Sequence, residues 1–390
     1  MKVLKIRLLA LSLCAALMLC SCADSASEKQ DSSSQPQSES VTSQTTSSVT
    51  ASSTTSVSTT ASTTTSTTTT TTPTSTTPPT VTAPVPPSAD RTNPTVIYGG
   101  STTYHALGTP FDLNKYVSYG DDTDRHPRLT YTGKVDTDKQ GDYPIKATVT
   151  DSSGNSTSWD ITVKVVSSLP SSPSEPIPSM TFEEFTSKYK SANTRVGIDV
   201  SQWQGEIDFN AVKNAGCGFV FIRVGTKFSG FTLDPYFKKN LDGALAAGLD
   251  VGVYLYTTDL TEASARESAK WIVSQLGGKK LTLPVAFDWE ELDSFQSFGA
   301  SFADLNAAYI AFKNELAQNG CSAMIYGSDF TLGKLWSDPV KNTSPIWLAQ
   351  YTDKPTYKGD FGVWQVCYGR IAGIGGNTDF NVLYTDKKYK

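Results

Sequence analysis

The chain has 390 residues, with 33 Lys and Arg against 38 Asp and Glu, a formal net charge of -5, six cysteines and two histidines. This mildly acidic balance argues against a nucleic-acid partner, which would need a basic face to neutralise phosphates. His105 and His126 lie far from the C-terminal half and no CxxC spacing occurs, so a His-dependent triad there is excluded and no zinc site is expected.

The positive start Met1 to Arg7 precedes an apolar run from Leu8 to Leu19, too short for a comfortable membrane span, and predicts an export signal over residues 1–21. Leu19-Cys20-Ser21-Cys22 resembles a bacterial lipobox, which makes Cys22 the expected lipidated N-terminus. An ordinary secretory signal cut near Ala23 is the alternative. Loss of Lys2, Lys5 and Arg7 takes the formal charge from -5 to -8. Residues 22–93 are nearly all Ser, Thr, Pro and Gln, lack the apolar content of a core, and are predicted to form a disordered stalk. Of the cysteines, Cys217, Cys321 and Cys367 remain beyond the stalk. They cannot pair completely, and Cys217 and Cys321, each just before an apolar strand, read as structural thiols.

Residues 94–166 carry short β-rich runs, including 94–98, Phe111-Asp-Leu, 129–132, 143–150 and 159–166. The last two alternate and flank Asp151-Ser-Ser-Gly154-Asn155, which predicts an antiparallel hairpin with one buried face. Gly141-Asp-Tyr143 followed by Val149 to Asn155 resembles bacterial immunoglobulin-like surface domains, so a small all-β sandwich is expected. It reads as a rigid spacer, with carbohydrate binding as the alternative. A Ser- and Pro-rich linker spans residues 167–180.

From residue 181 to 390, apolar strands alternate with amphipathic stretches. Strands are predicted at 196–200, 218–224, 251–256, 283–288, 323–326, 346–350 and 362–366. Helices are predicted at 182–190, 209–215, 235–247, 261–276 and 302–318, with 376–381 as a final loop. Repeated βα units predict an α/β domain, a parallel sheet closed or nearly closed into a modified TIM-like barrel with helices missing from its later half.

Barrel sites gather at the C-terminal ends of strands, and here those ends are acidic and aromatic. Leu283-Pro-Val-Ala-Phe-Asp288-Trp-Glu290 is an apolar strand delivering two carboxyls to one face, since residues two apart point the same way. Asp199 ends the first strand, and Asp379 lies in the final loop. Acids ringed by Tyr, Trp and Gln suit a polysaccharide. Phosphate chemistry would want Arg, Lys or a glycine cradle. Glycoside hydrolysis needs one protonated carboxyl and one negative partner, and crowded like charges let one member of a pair keep its proton.

Five separated motifs then occur in order: Val196-Gly-Ile-Asp199-Val-Ser-Gln202-Trp203-Gln204-Gly205, Pro284 to Glu290, Trp347-Leu-Ala-Gln350-Tyr351, Trp364-Gln365 and Gly376-Asn-Thr-Asp379-Phe-Asn381. Together, over about residues 194 to 386, they resemble glycoside hydrolase family 25, the Chalaropsis-type muramidases. The resemblance implies that the barrel is flattened, and it implies cleavage between N-acetylmuramic acid and N-acetylglucosamine of peptidoglycan, with Glu290 as general acid and Asp288 as its partner. That partner either attacks the anomeric carbon or orients the substrate's acetamido group. Asp199 and Asp379 would line the same cleft, and Tyr256, Tyr326, Gln350 and Trp364 are the candidate sugar contacts. Tyr254-Leu-Tyr256 stands where many relatives carry a His, and Val366-Cys367-Tyr368 follows Trp364-Gln365, which bears on subsite preference. No cofactor is expected, and the chemistry reads as metal-independent. The expected partners are peptidoglycan strands and, through Cys22, the outer face of a bacterial membrane. A non-catalytic wall-binding or adhesive lipoprotein is the rival reading.

Overall fold

A computed structural model describes residues 90–171 and 179–389. The export signal, Cys22 and the Ser/Thr-rich stretch up to residue 89 lie outside the described residues. No helix among the described residues is long and apolar enough to cross a membrane.

The first module contains β1 (Thr95–Tyr98), β2 (Thr102–Ala106), β3 (Ser118–Gly120), β4 (Arg128–Thr132), β5 (Gly141–Thr150) and β6 (Ser156–Val166). The predicted hairpin is β5 and β6, antiparallel in unbroken register from Gly141↔Val165 to Thr150↔Ser156. It lies within a four-stranded sheet of order β2-β6-β5-β4, beside the antiparallel pair β1 and β3. Alternation is the cause: Ile145, Ala147 and Val149 on β5 join Ile161, Val163 and Val165 on β6 in one core with Leu113, Val117 and Tyr119. The expected β-run at Phe111-Asp-Leu is instead a capped turn of 3-10 helix at Leu113–Lys115, because the Asp112 carboxylate accepts the Asn114 amide and closes the chain locally.

The second module opens with β7 (Ser179–Thr181), α1 (Phe182–Tyr189), β8 (Thr194–Val200), α2 (Phe209–Asn214), β9 (Phe219–Lys227), β10 (Phe231–Leu233), α3 (Phe237–Ala246) and β11 (Asp250–Thr257). It continues with α4 (Glu262–Leu276), β12 (Val285–Asp288), α5 (Phe302–Gln318), β13 (Ala323–Ser328), α6 (Asp329–Lys334), α7 (Asp338–Asn342), β14 (Ile346–Ala349), β15 (Val363–Arg370) and β16 (Thr378–Tyr384). Helix α4 begins where Thr261 caps the Ser264 amide and stops at Gly277, whose φ of 59° is left-handed.

The sheet closes. β8, β9, β11, β12, β13, β14 and β15 are parallel neighbours in that order, β16 pairs antiparallel with both β15 and β8, and β7 and β10 are appended at edges. The stretch expected as a final loop is therefore the eighth barrel strand. In β16, Phe380 and Val382 face the outer core while Leu383 faces the inner one, and the glycines before it supply only the turn. No helix separates β14 from β15 or β15 from β16.

Strand alternation sorts the barrel's side chains into two layers. Ile198, Val220, Ile222, Val253, Val285, Phe287, Ile325 and Leu348 meet the helices, whereas Phe219, Phe221, Ala286, Met324, Tyr326, Trp347, Val363 and Leu383 fill the interior. Close approach demands glycine at Gly197 and Gly252, where an added Cβ would meet Phe219 and Phe221 atoms at 2.6 and 2.3 Å.

The two modules pack on each other. The Phe295 amide donates to Ser118 Oγ at 3.0 Å, Gln296 Nε2 donates to the Val117 carbonyl at 3.1 Å, and the Phe302 and Ala303 amides donate to the Asp121 and Asp122 carbonyls. Arg125 grips Asp304 with two hydrogen bonds of 2.8 and 2.7 Å. These contacts fall on the segment joining β12 to α5 and on the first turn of α5.

Candidate active site

β12 is a four-residue strand with every residue buried, so nothing in it but Asp288 is polar. Val285 and Phe287 face outward, Ala286 and Asp288 inward, and Asp288 ends the strand at the C-terminal rim. It lies in register between Tyr256 on β11 and Tyr326 on β13. Glu290, two residues on, is half-buried, and Trp289 between them is turned into the outer core against Phe295 at 5.5 Å.

Asp199 ends β8 on the inner face and is 8 % exposed. Its Oδ1 accepts two amide hydrogen bonds of 2.8 Å, from Gln365 Nε2 on β15 and Asn381 Nδ2 on β16. Those amides are themselves held. Gln365 Oε1 accepts the hydroxyls of Tyr326 and Tyr351, each at 3.0 Å, and Asn381 Oδ1 accepts Trp347 Nε1 at 2.8 Å. Such donors fix the direction of the carboxyl. Asp379 sits directly across from Asp199 in the β16–β8 ladder, on the same face.

The tyrosines report how acidic this space is. Burial pushes the Tyr254 hydroxyl well above its ordinary value, and the charges of Asp199 and Asp288 push it the same way against the pull of Arg223. Burial likewise raises Tyr256, helped by its hydrogen bond to Glu291 and by the charges of Glu291, Glu290 and Asp288. Asp199, Asp288, Glu290 and Asp379 thus converge on one end of the barrel, with Tyr256 and Tyr326 beside them.

Gln350 and Trp364 are not brought there. Both are 2 % exposed; Trp364 faces the outer core, edge-on to Tyr189, and its Nε1 donates to the Gln350 carbonyl. The Gln350 side chain ties down its own loop through Asp329 and Thr356. Cys22 lies outside the described residues.

Tyr351, Gln365 and Asn381 stand in the sequence motifs, and Tyr254 in Tyr254-Leu-Tyr256, without an assigned role, and Glu291, directly after the second motif, carries none either. Arg223, mid-strand on β9, was also passed over. Its charge is engaged by Asp234 at 2.9 Å, and Asp234 in turn accepts the Gln202 amide at the rim. Trp203 and Phe228 are 43 % and 49 % exposed, and Phe228 stands edge-on to Tyr256. Exposed rings beside a cleft of acids are suited to stacking on sugar faces. Their signal in the sequence was position alone, just past the ends of β8 and β9.

The remaining thiols do not compete for a catalytic role. Burial pushes Cys217 and Cys367 up to about 12, far from a reactive thiolate.

Residues 198–370 match the family described as "Glycosyl hydrolases family 25", and residues 96–165 match "Bacterial surface protein, Ig-like domain". The chain is 29% identical over 190 residues to the autolytic lysozyme of Clostridium acetobutylicum, covering 47% of this chain and 54% of that protein. It is 29% identical over 206 residues to lysozyme M1 of Streptomyces globisporus, covering 47% and 66%. The chain thus spans between half and two thirds of these relatives' lengths. Among solved structures, the muramidase from Trichobolus zukalii aligns at 26% identity with a TM-score of 0.40, over 47% of this chain and 92% of that one.

Proposed function

We propose that this chain, whose residues 198–370 match glycosyl hydrolases family 25 and residues 96–165 a bacterial surface immunoglobulin-like domain, is a peptidoglycan muramidase. It hydrolyses the β-1,4 bond from N-acetylmuramic acid to N-acetylglucosamine. The observation that carries this reading is the convergence of Asp288 and Glu290 from β12 with Asp199 and Asp379 from β8 and β16 at one rim of the closed barrel.

Glu290 gives its proton to the glycosidic oxygen as the bond from that oxygen to the anomeric carbon breaks. Asp288 stabilises the oxocarbenium-like centre, by direct attack or by orienting the substrate's acetamido oxygen to attack. Water, deprotonated by Glu290, then bonds through its oxygen to the anomeric carbon as the bond from that carbon to Asp288 or to the acetamido oxygen breaks, which restores both carboxyls to their starting states. Asp199, held by two amides, and Asp379 set the field of the cleft and position water. Tyr256 and Tyr326 flank Asp288 and contact sugar hydroxyls. Gln350 and Trp364 support the loop after β14 and act on the cleft only through it.

The envelope placement belongs to the same reading. The signal over residues 1–21, the lipid on Cys22 and a stalk over residues 22–93 would tether the enzyme outside the membrane and within reach of the wall. Cys22→Ala should move the protein from the membrane fraction to the medium; retention on the membrane would refute the anchor.

The deciding experiment incubates the mature chain with purified peptidoglycan and identifies new reducing ends by mass spectrometry, beside Glu290→Gln. Muramic-acid ends from the wild type alone are expected, with the variant folded and at least about a thousandfold slower. N-acetylglucosamine ends would move the bond cut. Tight binding with no release would replace the enzyme by a wall-binding protein.

A further inference from the structure

Where the two modules meet, three carboxylates from two distant parts of the sequence come together. Asp90, Asp121 and Asp122 each present an oxygen, and the three oxygens lie within 4.8 Å of one another. The arrangement is built rather than incidental. Asp90 is placed by Asn155 of the β5–β6 turn, whose Nδ2 donates to the Asp90 carbonyl at 3.1 Å. Asp121 and Asp122 follow β3, and their backbone carbonyls accept the Phe302 and Ala303 amides, among the otherwise orphaned donors of α5's first turn.

The second observation concerns bonding capacity left over. Asp121 is fully buried. Its Oδ1 accepts the amides of Thr123 and Asp124 at 3.0 and 2.7 Å, but Oδ2 is buried with no hydrogen-bond partner, and so is Oδ1 of Asp122. Among the described residues, none of the three acids forms an ion pair and no hydrogen bond links any two of them. Three clustered carboxyls with two unpaired buried oxygens are costly unless a cation neutralises them.

We propose that Asp90, Asp121 and Asp122 bind a calcium-sized divalent cation that clamps the immunoglobulin-like module to the start of α5. The donor set is all oxygen, which selects a hard cation over zinc or copper. Calcium accepts irregular sets of six to eight oxygens with carboxylates among them, whereas magnesium demands near-octahedral geometry and gives up its waters reluctantly. Waters complete the shell beyond the three carboxylates. The site is separate from the catalytic acids and does not depend on the muramidase reading.

The test uses the mature chain, stripped with EDTA and dialysed, with calcium chloride as the probe. Isothermal calorimetry should show one calcium per chain. At about a hundred times the dissociation constant the melting temperature should rise by on the order of 5 °C. Asp122→Asn and Asp90→Asn should each weaken binding at least about tenfold. Asp121→Asn should melt higher than wild type in EDTA, because it removes a buried charge, while losing the calcium response. If Asp121→Asn does not fold, the Asp90→Asn result decides, since Asp90 is only half-buried. No calcium binding up to about 10 mM, or binding undiminished in all the variants, would overturn the site. A full melting shift with magnesium alone would overturn the assignment of ion size.

Discussion

Asp199 shows how a single residue is made fit for its place. Its Oδ1 takes both amides, and each amide is locked from behind by a tyrosine pair or by Trp347, so its direction is fixed before substrate arrives. Asn381→Leu removes one donor and leaves the buried Trp347 N–H without an acceptor. It should cost about 1–3 kcal/mol of stability and lower kcat by about tenfold or more with a smaller change in KM. Unchanged kcat in purified variant would mean that Asp199 does not act through this scaffold. Asp288→Asn should fall at least about a hundredfold in turnover on soluble wall fragments, and a mild loss would reduce Asp288 to a passive neighbour. At this scale the acids were legible in the sequence because charge at the end of an apolar strand is conspicuous. Gln365 and Trp364 were not separable, because both faces of a barrel strand are buried and adjacent residues carry no mark of which one looks inward. The structure reverses the expectation: Gln365 reaches the cleft and Trp364 packs outside it.

Among the elements, the joint between β12 and α5 matters most, because it carries Glu290 and also receives the other module. Trp289 packs on Phe295, and Phe295 packs against Gly120 of β3 so closely that an added Cβ would lie 2.7 Å from its ring. Gly120→Val should therefore displace Phe295 and, through Trp289, shift Glu290. We expect kcat to fall several-fold while the secondary structure by circular dichroism is retained; full activity would show that the joint absorbs the strain locally. The Arg125–Asp304 pair secures the same joint. Chiefly the Arg125 hydrogen bonds, with those from Ser301, hold Asp304 down to about 2 from its ordinary 3.8. A depressed acid contributes stability above its unfolded value and loses it as pH falls through the folded one. The melting difference between wild type and Arg125→Ala should thus be constant from pH 7 to about 5 and vanish between about pH 4 and 2. Because Arg125 is mostly exposed, that difference is small, a few degrees at most. A difference that persists at pH 2 would mean Arg125 acts by packing rather than charge. The sequence announced β12 and α5 by their periodicity but hid β16, whose inward Asp379 and Asn381 break the apolar pattern that marks a strand.

For the whole molecule, the contact between modules turns what reads in sequence as a spacer followed by a linker into one packed body. The junction combines ring packing of Phe295 and Phe302 under Gly120, five intermodule backbone or amide hydrogen bonds, and the Arg125 pair. None of these was readable from the sequence, because each joins residues about 180 apart and leaves no periodic trace. A chain of residues 90–390 should consequently melt in a single transition by calorimetry, with equal calorimetric and van't Hoff enthalpies. A fragment beginning at residue 179 would expose Phe295 and Phe302, and should melt several degrees lower and bind a hydrophobic dye that the longer chain does not. Removal of the module should also lower turnover on short soluble glycans, where reach plays no part, since the loss acts through the joint that bears Glu290. A pure spacer predicts the opposite on every count: two independent transitions, an unchanged melting temperature for the fragment, and full turnover on soluble glycans with a loss confined to intact walls.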